Sequence, residues 1–494
     1  MSPSVEPFNE VKYKALMDGL ECSEILLSEI PRWNPSLRFD AEFFNKEAIT
    51  IENRIRMGSH YYLDKAQVVS GPFGSTLKSD SYLVSGDVPF IRIENIRGGF
   101  YINQSGIVFI SNYDNDRIKN SELQLDDIVL SKVGNTIGFF ARVDERLSIC
   151  NISENNIGIK MSNYPKPQRK YILTYLNSQY AQKMVQRRTS GNAQPKLNVG
   201  DVCLIPIPTV SDKFHGAISN LIDKSEDAIV RAEEGYKEAE RILATVIDVQ
   251  SISQTSLVKA EKYLSDSFGK TDRLDAEYYQ PKYDTLFEAL ANVNTKKLGG
   301  IDGIVSIMKS LEPGSDVYVD EGIPFVRVSD VSKFEITDPE IKLDSKAISS
   351  PDKLFPKKDT ILFSKDGSVG IAYKVDADMK VITSGALLHL TVRDTSEVLP
   401  DYLTLVLNSP AVQLQAERDS NGAIIQHWKP SEIENVVVPV LDMEIQKEIA
   451  TKVQDSFALR KKSKQLLEYA KQAVEMAIEQ GEDIALEWLK DKVN

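Results

Sequence analysis

The chain has 494 residues, 42% apolar and 27% charged, a globular composition too long for one ordinary core, so two or more domains are expected. No apolar run approaches the length of a membrane span. The start "MSPSVEPFNEVKYKAL" lacks the basic-then-apolar order of a secretory leader, so the cytoplasm is the expected location. A net charge of −13 weighs against a surface built for phosphate along its whole length, but it is a sum and leaves room for a local basic patch.

Self-similarity organises the chain. "RFDAEFF" (Arg38 to Phe44) returns as "RLDAEYY" (Arg273 to Tyr279), and "VPFIRIENI" (Val88 to Ile96) returns as "IPFVRVSDV" (Ile323 to Val331). "DDIVLSKVGNTIG" (Asp126 to Gly138) matches "KDTILFSKDGSVG" (Lys358 to Gly370), and "LNS" recurs at 176–178 and 407–409. The matches keep their order, and their spacing shrinks slowly, as small loop deletions would produce. The unit is far longer than a solenoid repeat, so it is a whole domain plus a tail.

Within each unit the elements follow one plan. "DVPFIRIENI", "GIVFIS", "DDIVLSKV" and "NIGIKM" read as strands or strand ends. A helical stretch follows, "QRKYILTYLNSQYAQKMVQRR" in the first unit and "LPDYLTLVLNSPAVQLQAER" in the second. A glycine-containing loop then leads to an apolar run with proline, "VCLIPIP" or "VVVPV", and a long charged helix closes the unit. In the first tail Phe214, Ile218, Leu221, Ser225, Ala228, Ala232, Gly235, Ala239, Ile242 and Val246 step by four and three. In the second, Ile445, Ile449, Lys452, Ser456, Leu459, Ser463, Leu466, Ala470, Ala473 and Ala477 do the same. Such a stripe is a coiled-coil seam, narrow here because of its Ala and Gly. Each helix of about 35 residues would be roughly 50 Å long. Polar and small seam positions keep either helix from standing alone, so they are expected to pack on each other or on a partner. The competing arrangement is a long helix lying on its own domain.

Signs of chemistry are sparse. Cys22, Cys150 and Cys203 form no CxxC pair and read as buried free thiols; His60, His215, His389 and His427 are scattered without metal spacing. No phosphate loop, dinucleotide fingerprint or Asn-Pro-Pro-aromatic signature occurs. "DPEIK" (Asp338 to Lys342) contains an ExK without a counterpart in the first unit and is read as accidental. The repeated "D-A-E" carboxylates, Asp40 with Glu42 and Asp275 with Glu277, sit beside Arg38 and Arg273 and are read as a turn or cap. Nothing points to an enzyme acting alone.

Five features, in order and largely duplicated, resemble the specificity (S) subunit of a Type I restriction-modification system. They are "GPFGSTLK" (Gly71 to Lys78), "PFIRIENI" with its repeat, the "SKVGNTIG" and "SKDGSVG" turns, the segments "SGNAQPKL" and "NGAIIQHWKP" ahead of "IPIP" and "VVVP", and the heptad helices. "GPFGS" is missing from the second unit. The expected fold is α+β: two similar globular target-recognition domains separated by two long antiparallel coiled-coil helices, a pseudo-two-fold internal repeat. The expected boundaries are 1–210 for the first domain, 211–250 for the first spacer helix, 251–441 for the second domain and 442–494 for the second spacer helix and C-terminal tail.

The resemblance implies a non-catalytic subunit in phage defence. Each domain would read one half of a bipartite double-stranded DNA site, and the helices would fix the gap between the halves. The helix length adds the expectation that the half-sites lie about one turn of duplex apart, centre to centre. Partners would be two methyltransferase (M) subunits, joined in the full complex by restriction translocase-nuclease (R) subunits. S-adenosylmethionine would belong to the methyltransferase; no cofactor, metal or membrane is expected for this chain. The alternative is a scaffold or inhibitor that occupies methyltransferase subunits without reading DNA, which the acidic balance motivates.

Base readout needs Arg, Asn or Gln, and phosphate contact needs Lys, Arg or glycine turns. The candidates for DNA contact are Lys78, Arg92, Asn95, Lys132, Asn135, Arg187, Arg188 and Lys196 in the first unit. In the second they are Lys309, Arg327, Lys365, Ser368, Arg418, His427 and Lys429. For Trp428, stacking on a nucleotide and packing in a core are both open. The change from Glu94-Asn95 to Ser329-Asp330 is where the halves are expected to differ in the DNA they read.

Overall fold

The computed structural model describes residues 8–20, 23–34, 37–191, 195–247, 259, 261–269, 271, 273–420 and 426–493. Contacts divide the chain into two compact units, Met1–Asp227 with Lys462–Asn494, and Ala228–Lys461.

In the first unit a five-stranded sheet runs in the order Val68–Ser70, Asn156–Ile159, Ile128–Ser131, Phe140–Arg142, Phe100–Tyr101. It is antiparallel except for its last pair. A four-stranded sheet orders Val108–Ile110, Val88–Ile91, Ile149–Ile152 and Leu123–Gln124, with the middle pair parallel. The helices Lys166–Leu176 and Gln179–Arg188 bury Tyr171, Tyr175, Met184 and Val185 against Ile128, Phe140 and Ile157 of the larger sheet.

The second unit repeats this plan with trimmed edges. One four-stranded antiparallel sheet orders Val305–Lys309, Leu387–Val392, Ile361–Ser364, Ala372–Lys374. Another orders Tyr318–Val319, Lys342–Leu343, Ile323–Val326, Ile382–Thr383 and closes on a parallel pair. Helices Pro400–Leu407 and Pro410–Asp419 cover the first of these.

The repeat extends to single hydrogen bonds. Asn177 closes the gap between helix and strand by accepting from Phe140 N at 3.3 Å and donating to Phe140 O at 2.9 Å; Asn408 does the same with Ala372 at 3.1 and 2.8 Å. Gln182 donates to the carbonyls of Gly138 and Leu176, as Gln413 does to Gly370 and Leu407. Tyr171 and Tyr402 donate to the carbonyls of Pro208 and Pro439, tying each helix to the proline run that precedes a long helix. Asp126 and Asp359 both take left-handed φ values, 73° and 64°, at the turn into a central strand, a conformation Asp tolerates better than most residues.

The repeated "D-A-E" motif is structural, as its sequence indicates. Arg38 pairs with Asp40, whose carboxylate also accepts from Phe43 N at 3.1 Å, and Arg273 pairs with Asp275. The Arg38 guanidinium beside Asp40 holds that carboxyl at about 2. Arg38 also donates to the carbonyls of Arg187 and Thr189, capping the helix that ends there; Arg273 reaches Asp419 O in the same way.

The long helices run Asp212–Ile247 and Met443–Gln480. In the first unit Ser225 Oγ donates to Ser463 O at 3.0 Å, and Ser211 N, near the start of its helix, reaches Glu482, so the segments run antiparallel. In the second unit Ser456 Oγ donates to Ala232 O at 2.7 Å, and the Gly235 backbone lies against Lys452 O. Both packing modes occur: Phe214 and Ile218 join the core of the first unit, Ala239 and Leu243 that of the second. The seam drifts from the expected positions. Leu243 and Ile247 are buried where Ile242 and Val246 were expected, and Val453 takes the place of Lys452. A straight helix has 3.6 residues per turn and falls out of step with a 3.5-residue stripe.

Candidate nucleic-acid interface

Burial sorts the candidate residues. Asn95 is fully buried: it accepts from Arg92 N at 3.0 Å and donates to Asn103 O and Ser105 O. Asp330 accepts from Arg327 N at 2.8 Å at the equivalent turn. Asn95 is therefore corrected to a frame residue, because every polar atom of its amide is engaged inside the domain.

Arg187 and Arg188 are corrected as well. Arg188 is 1% exposed and donates to Glu52 Oε1 at 2.6 Å; Arg187 pairs with the other Glu52 oxygen, and Arg56 joins the same carboxylate. Arg187 also lies 4.4 Å from the Phe43 ring centroid, with Arg38 5.2 Å from the same ring. In the second unit Arg418 and Arg273 lie 5.0 and 4.9 Å from Tyr278, and Arg418 pairs with Asp419 at 2.7 Å, which withdraws Arg418 too. Trp428 is 1% exposed and packs on Phe363, a core residue rather than a stacking platform.

Arg92 is held by Glu94 at 2.9 Å and Gly106 O at 3.0 Å, and half-buried Arg327 lies 3.7 Å from Asp330. Lys78, Lys196, Lys309, Ser368, His427 and Lys429 are exposed, and Lys132 and Lys365 are half-buried. Asn135 lies on the short turn Gly134–Thr136; its side chain is outside the described residues, as are parts of the two glycine-to-glutamine segments.

In the first unit these residues border two clefts on either side of the Gly71–Gly74 turn. One, of about 610 Å³, is lined by Ser70, Phe73, Arg117, Lys132, Glu154 and Lys196 among others. The other, of about 520 Å³, is lined by Phe73, Lys78, Tyr82, Arg92 and Glu94. The charge inventory missed Phe73 and Arg117. Glycines on both sides of a large apolar residue were the available signal for the first; nothing in the sequence marks the second.

Lys132 Nζ donates to Ser70 Oγ at 2.9 Å, and Leu197 N donates to Lys132 O, which brings Lys196 alongside. Burial and the Lys196 charge hold the Lys132 ammonium below its ordinary value, against a smaller pull from Glu154. In the second unit Trp428 N donates to Lys365 O at 2.8 Å, the equivalent bond. The pairing of Asp366–Gly367 with Gln426–His427 there gathers Lys365, Ser368 and His427, with Lys429 following. Asp366 pairs with Lys365 and lies 2.9 Å from His427 Nδ1.

Among the described residues no cluster of three or more His, Cys, Asp or Glu could hold a metal, and no helix is long and apolar enough to cross a membrane. Cys150 is buried and Cys203 half-buried, both free; Cys22 lies outside the described residues.

Residues 291–469 match the family described as the Type I restriction modification DNA specificity domain. This segment is similar to a Type I DNA specificity domain. The resemblance read from the motifs thus holds for the second repeat, and the first repeat carries the same hydrogen bonds at equivalent residues. A similar curated protein is the Type I restriction enzyme EcoBI specificity subunit of Escherichia coli, 26% identical over 149 residues, 30% of this chain. The match spans about a third (31%) of that relative's length. Among solved structures, the S subunit of a Type I restriction-modification system from M. genitalium is 13% identical with a TM-score of 0.35, covering 87% of this chain and 96% of its own. The HsdS subunit from Thermoanaerobacter tengcongensis is 13% identical with a TM-score of 0.27 and the same coverages. With scores that low, the assignment rests on the specificity-domain match.

Proposed function

We propose that the chain is the DNA-reading subunit of a Type I restriction-modification complex and catalyses nothing itself. Each unit reads one half of a bipartite site, and methyltransferase subunits, with restriction subunits in the full complex, dock on the helices and domain surfaces. The observation that carries this reading is a match to the specificity domain inside an internal repeat: one frame of hydrogen bonds occurs twice, with different side chains at the positions equivalent to the first unit's cleft. The long helices act as spacer, and partner subunits supply further phosphate contacts beyond those of this acidic chain. For DNA contact we propose Lys78, Lys132 and Lys196 in the first unit, and Lys309, Lys365, Ser368, His427 and Lys429 in the second. Arg92 and Arg327 are adjuncts held mainly by the frame.

The test is co-expression with cognate methyltransferase subunits, followed by adenine-methylation mapping. A two-part motif with a fixed gap is the expected result. A stable assembly that methylates without sequence preference would instead make the chain a scaffold, and purified chain that cuts or modifies DNA alone would overturn the non-catalytic assignment. Deleting one heptad from both helices together should change the gap and leave the half-site sequences alone; altered half-sites would sink the spacer role.

A further inference from the structure

The Gly71–Gly74 turn is built to hold an aromatic ring out in solvent. Gly71 N donates to Asn156 O at 3.1 Å, and Thr76 N closes the turn on Phe73 O at 2.8 Å. A Cβ on Gly71 would meet the Ser153 backbone carbonyl at 1.9 Å, so the chain lies closer to its neighbour there than a side chain allows; at Gly74 a Cβ would meet only the movable Glu154 carboxylate, at 2.4 Å. On this pinned support Phe73 is 85% exposed. Single exposed apolar residues are ordinary, so Phe73 points to a ligand only through the charged cleft it borders.

The charges beside it identify that ligand. Lys132 and Lys196 line the same cleft as Phe73. Among the described residues neither has an ion-pair partner, and backbone bonds hold the two segments together. At the equivalent positions of the second unit, Lys365 and His427 share Asp366. The first unit thus keeps two lysines without an ion pair among the described residues beside an exposed ring, with Glu154 the acidic residue of the same cleft; the second has no "GPFGS" turn, and its equivalent cations are paired with Asp366. A ring flanked by cations suits duplex DNA, whose grooves offer apolar base edges such as the thymine methyl and whose backbone offers phosphates.

We propose that Phe73 is a base-contacting residue of the first half-site, its ring packed on a base while Lys132 and Lys196 hold the adjoining phosphates. This rests on the DNA-reading function proposed above and assigns one side chain to it.

The experiment uses the full chain assembled with its methyltransferase subunits and a duplex carrying the mapped site, with 2-aminopurine placed in turn along the first half-site. Phe73→Ala should leave assembly intact, weaken binding roughly ten- to a hundredfold, and abolish the fluorescence change at one position. Phe73→Tyr should restore both. Lys132→Ala with Lys196→Ala should flatten the dependence of log affinity on log salt by roughly one to two, without a change in the fluorescence signature. Unchanged affinity and fluorescence in Phe73→Ala would overturn the inference, as would failure of that variant to assemble, because the ring would then face protein. If the wild-type complex shows no sequence preference, the DNA-reading function itself fails; a specific wild type with an equally specific Phe73→Ala defeats only the role of Phe73.

Discussion

Glu52→Gln tests whether the Arg187–Arg188 cluster is structural. Glu52 is 1% exposed and meets three guanidiniums, those of Arg56, Arg187 and Arg188. Removing its charge leaves three cations facing one another in a buried site. Loss of one partner from a buried ion pair costs about 3–5 kcal/mol, and the Gln oxygen recovers part of this by accepting a hydrogen bond. The loss should fall on the first unit alone. Hydrogen exchange read on peptides from Lys46–Met57 and Gln179–Arg188 measures it, with peptides from Pro400–Leu407 as internal reference. Burial raises the Glu52 pKa, but Arg188, Arg187 and Arg56 lower it further, and the net is below the ordinary 4.5. Its contribution is therefore complete above that value and disappears as pH falls through the lower folded value. Arg188→Met should show the same local loss. An Arg188→Met chain with unchanged exchange but weakened DNA binding would refute the reasoning and return Arg188 to the interface.

Three further outcomes are expected. Asn177→Ala and Asn408→Ala should each cost about 1–3 kcal/mol in their own unit, measured by the same exchange experiment, because each strips two hydrogen bonds from a buried strand edge. His389 is buried and held down to about 4, so the unfolded chain takes up its proton first. Stability of the second unit should be full above about pH 6.5 and fall by roughly 2–3 kcal/mol as pH drops towards 4; His389→Gln should flatten that slope in denaturant titrations. Gly216→Ala, on a helix face with open space around the new Cβ, should raise stability by about 1 kcal/mol in denaturant unfolding. Gly235→Ala should gain as well, since its Cβ would meet Lys452 O at an ordinary 3.8 Å.

Much of the fold is legible because it is written twice. The stripe of small and apolar residues marks the long helices to within a few residues of Asp212–Ile247 and Met443–Gln480. Proline runs mark the strands that precede them. The division into units is less legible: boundaries drawn at 210 and 441 follow the pattern change, whereas contacts give each unit part of both helices. Pattern records where period changes along the chain; it does not record which neighbour a helix turn leans on. The same limit moves the seam from Ile242 to Leu243, since burial follows the drift of a real helix and not a strict heptad.

Residue type alone selected the candidate interface residues, and accessibility was not legible in the sequence. Arg187, Arg188 and Arg418 carry the right chemistry for phosphate, yet each stands at a helix C-terminus where a ring or an acid from the "D-A-E" region or from Lys46–Met57 awaits it. Pairing across such distances in sequence is invisible without the fold. The same correction relocates the difference between the two halves. Asn95 and Asp330 differ in charge but perform one structural task, accepting a backbone N–H from the preceding arginine. Their exchange alters the frame little and so is a poor means of changing what is read. At Lys132 and Lys196 against Lys365, Asp366 and His427 the frame is equally well kept, with Leu197 and Trp428 donating to equivalent carbonyls. There the charge changes from two lysines without an ion pair among the described residues to a cluster paired through Asp366. A repeat that preserves its backbone bonds while changing the charge they present has the means to let one fold meet two different surfaces.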